Sequence, residues 1–338
     1  MRKIYLCALA LMIGAISFAQ NNKSTVVQEG IDAVSKVVQD GSSNRAIQYQ
    51  RNREGLVDIY QKGNGNYANQ DQNPIYQGNP ANVVTENRGK EAVAKIKQIG
   101  NGNRAWQTQT WDNESAFAEQ RGNNNTSRQL QKGAENIADV KQYDNGHTAI
   151  QNQYGRRVEA YINQSGANNR AKQTQNKGGF DDYAKAVQSG SNNYSEQTQM
   201  GKGKGRGPSN ANYVYVNQSG NGNRAIQDQS NDLSNNQRNV AEIIQKGNNG
   251  LAIQDQYGTN GMQKIEQKNG SNNNGYQYQD AASELGDATL MQNGSGNWSQ
   301  QWQYGMGNSS DVNQAGNNMW SKVTQTGSGN LNTVVQTN

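Results

Sequence analysis

Ile162-Asn163-Gln164-Ser165-Gly166-Ala167-Asn168-Asn169-Arg170-Ala171-Lys172-Gln173-Thr174-Gln175 is the stretch from which the architecture can be read. With Gln164 as offset 0, Gly166 falls at +2, Asn169 at +5, Ala171 at +7, and Gln173 and Gln175 at +9 and +11. The same frame fits Gln39, Gly41, Asn44 and Gln50; Gln61, Gly63, Asn66 and Gln72; Gln98, Gly100, Asn103 and Gln109; and Gln218, Gly220, Asn223 and Gln229. Near-matches are Gln120, Gly122, Asn125 and Gln131; Gln142 and Gln153; Gln188, Gly190, Asn193 and Gln199; and Gln245, Gly247 and Gln256. Gln292, Gly294, Asn297 and Gln303 follow, with Gln314, Gly316, Gln325, Gly327 and Gln336. Gln77 and Gln267 begin degenerate copies.

From Gln98 through Gln120 and Gln142 to Gln164 the step is 22 residues. It stretches around Gly201–Pro208 and Ser230–Arg238, which read as insertions, and is broken near Pro74 and Pro80. From Gln292 to Gln336 the glutamines recur every 11 residues, so the unit is two related halves. Ile59, Ile96, Val140, Ile162 and Val216 occupy −2, and Val57, Ala94, Ala138 and Ala160 occupy −4, with charged residues between them. That period of two is a strand with one face inward. Past the turn, +5, +7, +9 and +11 again share a face. Glycine at each turn argues against helix and serves a positive φ.

The expected fold is therefore all-β, a β-solenoid of strand-turn-strand coils of about 22 residues. One coil cannot bury its narrow apolar face alone, and stacking does so. About thirteen coils at ~4.8 Å per rung make a rod on the order of 60 Å long. A buried amide without a partner costs about 1–3 kcal/mol, whereas an identical amide one rung above meets both its donor and its acceptor needs. The glutamines, asparagines and glycines named above are thus expected to be structural ladder and turn positions. A final coil with unpaired edges is a template for another chain.

Composition agrees with a repeat rather than a globular core. Apolar residues are 32% and mean hydropathy is −1.06, yet charged residues are only 17%. Such a chain either stays disordered or stacks into cross-β ladders. Met1–Ala19 has Arg2 and Lys3, an apolar run from Ile4 to Ile16 and a small-x-small end at Ser17-Phe18-Ala19, which reads as a secretory signal peptide. Residues 20–32 read as a separate N-terminal segment, an export-targeting stretch or a degenerate half-repeat. Removing the signal also removes Cys7, leaving no cysteine chemistry. The net charge of +5 then falls to +3.

The pattern Gln-x-Gly-x-x-Asn-x-Ala-x-x-x-Gln after an alternating strand resembles the curlin repeat of bacterial curli fibre subunits, over residues 33–338. The resemblance implies export of the unfolded chain through a dedicated outer-membrane pore, a nucleator, and growth into amyloid at the cell surface. Biofilm matrix formation, adhesion and colonisation follow from it as roles. Here the Ser that often opens the family repeat, at −6, is replaced by Gly55, Asn136 and Asn212, and +9 is more often Gln than the family suggests.

Other features are weaker signals. His147 stands at +5 in place of Asn, beside Asp144 in place of Gly, and reads as a variant turn or a gatekeeper rather than a metal ligand. Gln77–Arg88 suits the same gatekeeping role. Asp181-Asp182 does not recur as an inward carboxylate pair, so no catalytic residue and no cofactor or metal site is assigned. Arg45, Arg104, Arg170 and Arg224 share +6 and face outward, where they could bind acidic polysaccharide, lipopolysaccharide or extracellular DNA; solubilising charge is the plainer reading. The Lys202–Arg206 stretch reads as a flexible basic insertion. Trp298 and Trp320 should stack on adjacent rungs, with Trp302 on their face. A fibre subunit whose partner is itself is the leading function, with the run to Asn338 still in register and no evident cap. A soluble or surface-attached β-solenoid adhesin is the alternative, and a β-helix enzyme is disfavoured.

Overall fold

Alternation of inward and outward side chains, interrupted by glycine and asparagine turns, produces two flat faces joined at two edges. A computed structural model describes residues 21–29, 32–72, 91–176, 180–201, 211–231 and 238–338. One sheet contains β1 (Lys23–Gln28), β3 (Arg45–Gln50), β5 (Tyr67–Gln72), β7 (Arg104–Gln109), β9 (Thr126–Gln131), β11 (Thr148–Gln153), β13 (Arg170–Gln175), β15 (Tyr194–Gly201), β17 (Arg224–Asn231), β19 (Leu251–Gln256), β21 (Asn274–Gln279), β23 (Trp298–Tyr304) and β25 (Trp320–Thr326). The other contains β2 (Val34–Asp40), β4 (Leu56–Lys62), β6 (Val93–Ile99), β8 (Ser115–Arg121), β10 (Ile137–Tyr143), β12 (Glu159–Gln164), β14 (Tyr183–Ser191), β16 (Tyr213–Asn221), β18 (Val240–Gln245), β20 (Met262–Lys268), β22 (Asp287–Asn293), β24 (Ser309–Ala315) and β26 (Leu331–Thr337).

Each strand pairs in parallel with the strand two places away in the chain, so the fold is a β-solenoid of about 22 residues per turn. The signal reading of residues 1–19, the Pro74 and Pro80 region and most of the two insertions lie outside the described residues. β1 pairs with β3, so regular stacking already includes Lys23. The degenerate copy read at Gln77 lies outside the described residues. β4 pairs directly with β6, and β5 with β7.

The interior is thin. Ile or Val at −2 from one sheet meets the small Ala at +7 from the other. Val216, Ala225, Ile243, Ala252, Ile265, Leu290 and Val312 form one fully buried cluster, and Ile59, Ala68, Ile96 and Ala105 another. Large facing small keeps the sheets close enough for inward amides to bond along the rod. At the first turn Gly63 has φ 114° and Gly100 φ 114°. A Cβ on Gly63 would lie 2.1 Å from the Gly100 carbonyl oxygen. The next coil's backbone, as much as the dihedral, therefore demands glycine. Gly247 lacks the positive φ, yet a Cβ there would meet the Gly270 oxygen at 1.9 Å.

Ile243→Ala should destabilise the folded rod by about 2–5 kcal/mol, as expected for a buried isoleucine in a rigid core. Ile253→Ala, on the outward side of β19, should cost far less. Urea unfolding of the two variants measures the difference.

Candidate functional site

Three columns of glutamine run along the interior, two of them from end to end of the described coils. The first links Gln39, Gln61, Gln98, Gln120, Gln142, Gln164 and Gln188, each Nε2 donating to the Oε1 of the next at 2.8–2.9 Å. It continues through Gln218, Gln245, Gln267, Gln292, Gln314 and Gln336. The second N–H of each amide turns to a backbone carbonyl, as Gln142 does to Thr126 at 3.0 Å. The +11 column runs from Gln28 and Gln50 through Gln131, Gln153 and Gln175 to Gln303 and Gln325. Glutamines 11 apart thus alternate between sheets: Gln303 stacks on Gln279, not on Gln292. The +9 column extends only from Gln48 to Gln301.

The turns carry a fourth column. The Asn103 Oδ1 accepts from the Asn125 backbone N–H at 3.0 Å, and its Nδ2 donates to the Gly122 carbonyl at 2.7 Å. Asn44, Asn66, Asn169, Asn193, Asn223 and Asn297 make the same donation to the +2 carbonyl of the next coil. The +5 asparagine and the +2 glycine are therefore one device. A second asparagine column, at the opposite edge, was not recognised in the sequence. Asn136 donates to Gly155 O at 3.1 Å, Asn239 to Gly258 O at 2.8 Å and Asn308 to Gly327 O at 3.0 Å. Each stands five residues after, or six before, an inward glutamine. Carrying the 11-residue half-period through the turns would have found Asn136 and Asn308, and it explains why Asn136 and Asn212 replace Ser at −6.

His147 occupies the asparagine column and keeps its acceptor bond to the next coil, while its other ring nitrogen turns to a carbonyl of its own coil. Nδ1 accepts from Asn169 N–H at 3.2 Å, and Nε2 bonds the Tyr143 carbonyl at 2.6 Å. That arrangement needs the neutral ring with its proton on Nε2. Burial lowers the His147 pKa, opposed by the Tyr143 bond and by Asp144. Asp182 occupies the second column. Its Oδ1 accepts from Asn212 N–H at 3.0 Å, and its Oδ2 has no hydrogen-bond partner among the described residues. Burial pushes its carboxyl up to about 7. Glu114 is also buried and is driven up to about 8, against N–H donors from Gly133, Trp111 and Thr110. Among the described residues no group of three or more His, Cys, Asp or Glu is placed to hold a metal ion.

Outward, Arg45, Arg104, Arg170 and Arg224 are exposed on one sheet. Trp298 and Trp320 stack, with ring centroids 5.2 Å apart and planes within 4°. Trp302 shares their strand face and packs near Tyr278 at 5.5 Å. The large apolar side chains left exposed include Val26, Val34 and Val38 at one end, and Trp320, Leu331 and Val335 at the other.

A family model described as the curlin associated repeat matches residues 287–316. Residues 287–316 thus carry a curlin associated repeat. The matched segment spans β22, β23 and β24, including the first-turn Gly294 and Asn297 and the inward Gln292, Gln303 and Gln314. The offset-0 glutamine column that passes through this segment continues from β2 to β26. No curated protein matches the chain.

Replacing Gln164 and Gln175 together with Ala should orphan the Gln142 and Gln153 donors and the Gln188 and Gln199 acceptors, at about 1–3 kcal/mol for each group left without a partner. Replacing the outward Lys172 and Thr174 should cost little; equal losses of unfolding free energy would contradict the inward bonding. The titratable substitutions act in opposite directions. The folded pKa of Asp182 is raised from 3.8, so its contribution is full below about pH 4 and is lost as pH rises through about 7. That of His147 is lowered from 6.5, so its contribution is full above pH 6.5 and is lost as pH falls through the lowered value. Asp182→Asn should flatten the alkaline limb of the stability profile, and His147→Asn the acid limb, in urea titrations across pH 4–9.

Proposed function

We propose that the chain is a structural subunit of an extracellular curli-like fibre and that copies add end to end in a single polarity. The observation that carries this reading is the match between the two open ends of the rod. The glutamine columns are directional: every Nε2 in them points toward β25 and β26, and every Oε1 toward β1 and β2. A second copy placed with β1 on β25 and β2 on β26 continues both sheets in their existing order. It also continues the offset-0 and +11 columns, with Gln325 donating to Gln28 and Gln336 to Gln39. The reverse placement sets like groups against each other.

The +9 column behaves differently, and its ends fit the same junction. Gln48 Oε1 accepts from Ser35 Oγ, and Gln301 Nε2 donates to Ser310 Oγ at 2.9 Å, so this column is closed inside the chain. Beyond it, Val26 and Val323 take the glutamine position in β1 and β25. End-to-end register sets Val26 on the already buried Val323, Val34 on Leu331 and Val38 on Val335, so that Val26, Val34, Val38, Leu331 and Val335, otherwise exposed, gain apolar neighbours. The curlin repeat and the Met1–Ala19 leader reading support secretion. An export pore, a nucleator and roles in matrix formation and adhesion enter through that resemblance.

The test uses the chain from Gln20 onward. It should pass from soluble protein to thioflavin-positive fibres and be seeded by them; persistent solubility with seeds present would sink the proposal. Val323→Lys should still dock through its β1–β2 end and then block the next addition, so a substoichiometric amount should arrest seeded wild-type growth. Undiminished growth would reject the junction register.

A further inference from the structure

The side of the rod, away from the stacking ends, is not uniform. Over β1, β3, β5, β7 and β9 the parallel register places Lys23, Arg45, Tyr67 and Arg104 in one outward column, with Trp106 and Arg128 in the column beside it. These strands contain four cations and one carboxylate, Asp71, which lies in a third column. Burial raises the Asp71 pKa, opposed by Arg51. Among the described residues neither Arg45 nor Arg104 forms an ion pair. Between them lies a cleft of about 360 Å³, lined by Arg45, Gly65, Tyr67, Arg104 and Trp106.

The aromatic rings organise this cleft. The Arg45 guanidinium carbon sits 5.7 Å from the Tyr67 ring centroid, and the Tyr67 and Trp106 centroids are 5.4 Å apart. Tyr67 thus lies between a cation and a tilted indole, an arrangement that holds the Arg45 guanidinium at the cleft. Arg45 and Arg104 are two rungs apart, ~10 Å along the rod. That distance is close to one disaccharide unit of an extended polysaccharide. A guanidinium fork suits a carboxylate, which it can hold by two parallel hydrogen bonds.

A similar column farther along provides an internal comparison. Arg170 and Arg224 flank Tyr194, with guanidinium carbons 5.9 and 5.6 Å from its ring centroid. There Glu196 takes bonds from Lys172 Nζ at 2.8 Å and Tyr194 Oη at 2.7 Å. That column therefore has a protein carboxylate beside it, close enough for Arg170 to lower its pKa, where the Arg45 column has none among the described residues.

We propose that the Arg45–Tyr67–Arg104 cleft binds an acidic polysaccharide of uronate type, with one sugar carboxylate on each arginine. The site lies on the rod's side, so it remains open whether or not copies stack at the ends.

The probe is fluorescent oligogalacturonate, titrated by anisotropy against assembled wild-type protein and against two double variants. Arg45→Gln with Arg104→Gln should weaken binding on the order of tenfold and reduce its salt dependence. Arg170→Gln with Arg224→Gln should leave it unchanged. Thioflavin signal from each variant separates failure of the site from failure of stacking, and soluble monomer serves as the sample for any variant that does not assemble. Unchanged affinity in the Arg45/Arg104 variant would overturn the site. Equal binding of a neutral oligosaccharide, or tighter binding of oligothymidylate, would overturn the ligand class.

Discussion

A buried primary amide must find a partner for its oxygen and for both of its N–H groups. In this molecule that requirement governs nearly everything else. An identical amide one strand spacing away satisfies the oxygen and one hydrogen, and a facing backbone carbonyl takes the other. The solution works only when every coil is in the same register, because a one-residue slip would turn the glutamines outward and bring charged neighbours in. The small alanines opposite Ile and Val, the glycines beneath the next coil's carbonyl and the asparagines that fasten adjacent turns all keep successive coils at the spacing the amides need. Hydrophobic burial supplies cohesion, while the polar columns select one alignment among many.

The departures from amide are as informative as the columns. His147 keeps the bond from the next coil's Asn169 and turns its other nitrogen to Tyr143 in its own coil, so a ring is accommodated without breaking the line. Asp182 preserves one and leaves an oxygen with no partner among the described residues. Val26 and Val323 abandon the amide altogether, at the two places where a continuing +9 column would present unmet groups to solvent. The interior is therefore tuned locally: a titratable substitute is admitted where the protein can hold it neutral, and an apolar one where the line is meant to stop.

Most of the fold was legible because its signal is local. Period two around Gln164, glycine at the turns and the 11-residue recurrence are all visible in short windows, and together they require stacked parallel strands. What was hidden depended on knowing which coils are neighbours. Gln61 bonds Gln98, 37 residues away, a neighbour that the 22-residue step does not give. The second asparagine column escaped because Glu114, Val158 and Asp182 interrupt it and its members were compared with Ser at −6 rather than with Asn at +5. The correspondence of Val26 with Val323 has no meaning in the linear sequence. The aromatic contacts around Arg45 likewise require β3, β5 and β7 to be adjacent.

The two edges of the rod differ in how much chain they contain. The links from an even-numbered strand to the next odd one have two to five residues, whereas the reverse links range from four to twenty. One edge is consequently a smooth seam of glycine and asparagine turns, and the other absorbs nearly all variation in length. A foreign peptide placed in the links between β5 and β6 or β15 and β16 would leave both sheets in register. In a fibre of such rods, cargo carried there would form a single row along one side, repeated once per molecule. The length tolerance of that edge makes the rod a scaffold for ordered display.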